Sequence, residues 1–239
     1  MAFEPSQGET CDTVLGSAVA DRQARRFAES LEKFLWYFEN SRNEIGHEGV
    51  RLSFALRYWY DLAKEYQPAM DEFISVRDQA EARCREFCGE RDAFKEAAAL
   101  NRYLATSDRT ISLFLDVAHR DKVAAQKIYR TVEPYLIATG LYSECGPFLE
   151  NHRTVEINIE IYKFGKENES LYAELFPSAP PSEERIFREK MLTLVALLVV
   201  NDRKSDAERV VEKSLSTLNT DEFRSELAVA MTGQFPKRS

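Results

Sequence analysis

Trp59-Tyr-Asp-Leu62-Ala63-Lys-Glu-Tyr66-Gln-Pro68-Ala69-Met-Asp-Glu-Phe73 is the stretch that decides the fold class. Leu52, Ala55, Leu56, Trp59, Leu62, Ala63 and Tyr66 recur three and four residues apart, so a helix collects them on one face. Pro68 then suits the first turn of a following helix, where its missing N–H would have no partner in any case. That helix carries Ala69, Phe73, Val76, Ala80 and Cys84 before Gly89 stops it. Two apolar faces joined by so short a turn must pack on each other, and the expected fold is all-α, a stack of antiparallel helix pairs.

The pattern extends both ways. Upstream, Phe27, Leu31, Phe34, Leu35 and Phe38 predict a helix that starts at an Asp21 N-cap, ends near Asn43 and is broken by Gly46-His-Glu-Gly49. Residues 1–19 mix Ser, Gly, Thr, Pro and acids without periodicity and read as a flexible leader. Downstream, helices are expected from about Arg91 to Thr106, from a cap at Ser107 or Asp108, and from Lys122 to Thr139, with a kink or break at Pro134. Val155, Ile157, Ile159 and Ile161 alternate as a strand would. Their flanks are helical, however, and an isolated strand would leave its backbone groups unpaired, so helix is the expectation there too. Pro177-Ser-Ala-Pro-Pro181 cannot continue a helix and is expected to separate two subdomains of a single repeat domain spanning 20–232, followed by a frayed tail at 233–239.

Composition narrows the function classes. Forty acidic against 32 basic residues give a net charge of -8, which disfavours nucleic acid as a partner. The most apolar run, Met191 to Val200, is about half of the ~20 residues a membrane span needs, so it reads as a buried helix and no membrane is expected. The four cysteines form no disulfide framework and no export signal opens the chain, which points to the cytoplasm.

Trp59-x-x-Leu62-Ala63-x-x-Tyr66 followed by Ala69-x-x-x-Phe73 resembles the tetratricopeptide-repeat signature, with Ala63 where that family usually has glycine. A second match is Leu136-x-x-x-Gly140-x-Tyr142-x-x-Cys145-x-x-x-Leu149, and weaker echoes surround Thr110 to Phe114 and Ala207 to Val211. Thr110 and Cys145 stand about 35 residues apart, near the ~34 of the family. The resemblance covers roughly 50–215. It implies a right-handed α-solenoid whose concave face, lined by the first helix of each pair, receives a peptide or partner helix.

No phosphate loop, nucleophile elbow or paired-histidine zinc motif occurs, so no enzyme activity, cofactor or metal is expected. Cys84-x-x-x-Cys88 puts two thiols on one helical face, but no histidine stands near, and small apolar fillers are the preferred reading. Trp59, Tyr66, Phe73 and Phe114 are expected to be core. The expected function is a non-enzymatic interaction module, with Arg57, Asp61, Asn101 and Arg102 as partner-binding positions because they flank core positions. One alternative is a ligand- or peptide-sensing regulator with Tyr58, Tyr60 and Tyr103 lining a groove; another is an enzyme using an unrecognised carboxylate or cysteine site.

Overall fold

The computed structural model describes residues 3–175 and 182–236, and among these no strand forms. The chain divides into two compact units, Met1–Tyr135 and Leu136–Ser239. The boundary falls one residue after Pro134, which lies inside a helix, α8 (Lys122–Ala138), that runs on through it. The segment Pro177–Pro181, expected to separate two subdomains, lies outside the described residues.

The first unit starts earlier than its sequence pattern suggests. Helix α1 (Cys11–Gln23) begins inside the supposed leader, and Val14 and Ala18 are fully buried. Its apolar residues are small and interleaved with Ser, Gly and Thr, which hides the periodicity. What starts the helix is local: Thr10 and Thr13 exchange side-chain-to-backbone hydrogen bonds at its N-terminus. Asp21 is not a cap but a buried carboxylate near the end of α1. It takes hydrogen bonds from Arg26 and, at 2.5 Å, from Lys33, and so ties α1 to α2 (Phe27–Asn40).

Gly46, with φ +86°, turns the chain into a continuous helical run. It comprises α3 (His47–Val50), a π-helical stretch (Arg51–Ala55) and α4 (Leu56–Ala63). Helix α5 (Gln67–Glu86), with Pro68 in its first turn, packs on α4, and α6 (Arg91–Tyr103) and α7 (Ser107–Arg120) follow in order, each against its predecessor. Contacts also join α4 to α6 and α5 to α7. Trp59, Phe73, Phe34 and Leu62 are buried to within 1%, and the Trp59 ring meets Phe38 and Phe73 edge-on at 5.7 and 5.1 Å.

In the second unit, Gly140 (φ +74°) closes α8 as expected, but the segment that should form the next helix yields only α9 (Tyr142–Cys145) and one 3-10 turn. Gly146-Pro147 cuts it short. The Asn201 amide spans the gap, donating to the carbonyls of Tyr142 and Leu197 so closely that a Cβ on Gly146 would lie 2.3 Å from its Oδ1. The alternating isoleucines belong to a helix, α10 (Asn151–Glu167), followed by α11 (Glu169–Leu175). Helix α12 (Glu183–Val200) packs on α9, α10, α13 (Lys204–Thr217) and α14 (Asp221–Ala230), which explains why its second half, from Met191, is apolar nearly all round. No helix among the described residues is long and apolar enough to cross a membrane.

Burying an unpaired carboxylate on α1 tests whether that helix belongs to the core. Val14→Asp should lower the thermal midpoint by several degrees, corresponding to a loss of at least about 2 kcal/mol. An unchanged melt would place residues 11–23 off the core.

Candidate functional site

Asn101, fully buried, is the centre of a polar network in the first unit. Its amide donates to Glu81 Oε1 and to Thr110 Oγ1, both at 3.2 Å, and its oxygen accepts from Thr106 at 2.9 Å. Glu81, 1% exposed, also receives Arg109 through two nitrogens at 2.9 and 2.7 Å and Arg85 at 3.4 Å. Burial pushes the Glu81 carboxyl up, but the hydrogen bonds from Arg109 and Asn101 and the charges of Arg109 and Arg85 outweigh it, and the group is held below the usual carboxylate range. Thr110, a small position of the repeat pattern, is thus fixed by a side chain that sequence spacing placed on a binding face.

The other three positions chosen for a partner lie apart from Asn101 in character. Arg57 is exposed, Asp61 is half-buried and paired with Lys64 at 2.5 Å, and Arg102 is exposed over the Tyr103 ring at 5.3 Å. Tyr60 and Tyr103 pack on each other at 5.6 Å and both touch Phe73, while the Tyr103 hydroxyl donates to the Ser53 carbonyl at 2.9 Å. These tyrosines are occupied with packing.

Reactive side chains are dispersed. Cys84 is buried, and burial pushes its thiol up to about 11, so it stays protonated at neutral pH. Cys88 lies past the end of α5 with φ +44° and does not continue the helical face. His47 is buried with Nδ1 2.9 Å from the Tyr37 hydroxyl, whereas His152 is exposed beside Glu156. Among the described residues no three His, Cys, Asp or Glu side chains are grouped to hold a metal ion.

A broad concavity lies in the second unit. A groove of about 770 Å³ lies along α12 and α14, floored by Leu192, Val229, Ala230 and Phe235. Phe235 is anchored by stacking on Tyr142, with centroids 4.5 Å apart. The groove's charged side chains comprise Glu183, Glu184, Glu189 and Glu226 against Lys166, Arg185 and Arg188. Arg185 pairs with Glu189 at 3.0 Å and Lys166 with Glu169 at 2.9 Å. Arg188 alone faces three carboxylates, Glu226 at 2.7 Å, Glu222 at 2.9 Å and Glu184 at 3.7 Å. The hydrogen bond from Arg188, with its charge, holds the Glu222 carboxyl below its ordinary range. Beyond the N-terminal turn of α12, a smaller apolar depression is lined by Ile161, Phe164, Tyr172 and Ile186, each at least 40% exposed.

The sequence reading missed this groove. Glu183, Arg188, Glu222 and Glu226 look like solvated helix faces, and only the meeting of α12 and α14 makes them one rim. The one available signal was Phe235 and Pro236, an apolar pair in a segment expected to fray. Comparison with protein-family models, curated proteins and solved structures finds no match.

The Glu81 network sets a pH dependence. A carboxyl whose folded pKa lies below its unfolded value contributes stability that is complete above the ordinary carboxylate range and is lost as pH falls through the folded value. Stability should therefore drop as the pH is taken from about 5 towards 2, and Glu81→Gln should flatten that acid limb while lowering stability at pH 7. Denaturant midpoints across pH check this; an acid limb as steep in the variant as in the parent would remove Glu81 from the account.

Proposed function

We propose that the chain is a non-enzymatic interaction module and that the groove along α12 and α14 receives a partner helix with an apolar stripe and a basic flank. The observation that carries this reading is the composition of the groove: an apolar floor of Leu192, Val229, Ala230 and Phe235 under a rim where one arginine is shared by three carboxylates. Among the described residues that rim carries more carboxylates than cations, which favours a cationic partner, and Val229, half exposed, offers apolar contact. The apolar depression at Ile161, Phe164 and Ile186 adjoins the groove at Glu183, which lines both.

We further infer that α4–α5 and α6–α7 in the first unit, and α12–α13 in the second, are degenerate tetratricopeptide-like helix pairs. Ala63, Ala69, Thr110 and Ala207, the small positions of the pattern, are all buried to within 4%, which supports the reading. The binding surface is assigned to the second unit instead of the positions around Asn101, because a buried Asn101 has no access to a partner.

A designed Lys/Leu amphipathic helix and its Glu/Leu counterpart, each fluorescently labelled, test the proposal by anisotropy at physiological salt. The basic helix should bind saturably and the acidic one should not. Glu222→Lys and Val229→Glu should each weaken binding at least about tenfold, or 1.4 kcal/mol, with the melting temperature unchanged. Equal binding of both peptides, or binding indifferent to both substitutions, would overturn it.

A further inference from the structure

We propose that Arg42, Arg51 and Arg83, gathered on Glu96 in the first unit, form a binding site for a phosphate-type dianion. Glu96 is 1% exposed, and all three guanidiniums converge on its carboxylate. Arg51 reaches Oε1 at 2.8 Å, Arg42 lies 3.1 Å from Oε1 and 3.3 Å from Oε2, and Arg83 bonds to Oε2. Three cations on one anion leave an excess of two positive charges. A second carboxylate would be expected if the cluster existed only to stabilise the fold.

The neighbouring network shows what a balanced cluster looks like in this protein. Around Glu81, Arg77, Arg85 and Arg109 are met by Glu81, Asp78 and Asp116, so cations and anions match. The Glu96 cluster departs from that arrangement although Arg83 and Glu96 stand on the same two helices, α5 and α6, as Glu81 and Asn101.

Its three arginines also differ in role. Arg51 is interior and rigid: Nε donates to the Phe38 carbonyl at 2.6 Å and the guanidinium lies over the Phe38 ring at 3.8 Å. It opens the π-helical stretch, whose extra residue per turn re-aims side chains and is frequent at functional sites. Arg42 and Arg83 are 39% and 36% exposed, and each engages Glu96 through one end nitrogen. Among the described residues neither guanidinium makes another hydrogen bond or ion pair. A guanidinium has five N–H donors, so both retain donors in the fork geometry that grips phosphate oxygens. Burial, and the charges of Arg42 and Arg83 against the pull of Glu96, leave the Arg51 guanidinium easier to deprotonate than usual. A bound dianion would relieve that repulsion and match the two spare charges.

The site lies in the first unit, so its test is independent of the groove. In a phosphate-free buffer at constant ionic strength, inorganic phosphate and O-phosphoserine are each titrated against the full chain, with chloride as the control. Calorimetry and the melting temperature are read together. Phosphate should give a saturable isotherm and a rise of at least about 5 °C at roughly a hundredfold excess over Kd. Arg42→Gln and Arg83→Gln should each reduce affinity at least tenfold, judged against the variant's own ligand-free melt. Phosphoserine binding tenfold more tightly than phosphate would identify a phosphomonoester as the ligand; equal affinity would identify free phosphate. A chloride response as large as that of phosphate, or undiminished binding by both variants, would overturn the site.

Discussion

An ionised carboxylate held away from water must be met by donors, and the first unit contains two such groups on facing helices, Glu81 on α5 and Glu96 on α6. The isolated cost of burying either charge is several kcal/mol, so neither helix can settle until its arginines are in place. That requirement fixes more than a pair. Arg51 on the π-helical stretch and Arg42 before Gly46 are drawn to Glu96 from more than 40 residues away, and Arg109 is drawn to Glu81 from α7. The helices on either side of α5 and α6 are thus specified by hydrogen-bond geometry as well as by apolar contact. Apolar faces alone tolerate sliding by a turn; a two-nitrogen contact between Arg109 and Glu81 does not.

What could be read from the sequence follows the same division. Trp59, Leu62 and Phe73 announce themselves because large apolar side chains at helical spacing have few other uses, and all three are core. Glu81 and Glu96 stay silent because acids on a helix normally face solvent. The trace they leave is weak: Glu96 stands between Ala93 and Leu100, three and four residues away and both buried, so it shares their face. Helix α1 was hidden for the opposite reason, since Val14 and Ala18 are too small and too diluted to produce a period. Cys145 and Leu149 match a repeat pattern and are buried, yet Gly146-Pro147 between them prevents the helix the pattern implies. Spacing reports which residues seek the interior; it does not report whether the intervening backbone can remain helical.

The two units handle surplus charge in opposite ways. In the second, Arg188 is shared by three carboxylates, all at least 37% exposed, so water screens their repulsion and the surplus costs little. In the first, the carboxylate is interior and the surplus is carried by guanidiniums, two of which reach the surface. Neither surplus is required by helix packing, because the Glu81 network shows a neutral arrangement on the same scaffold. A fold that can balance its buried charges in one place and leaves them unbalanced a turn away concentrates field where a ligand or partner of opposite sign would complete it. The acidic rim and the arginine cluster are therefore surpluses of opposite sign, and a net charge of -8 for the whole chain conceals both.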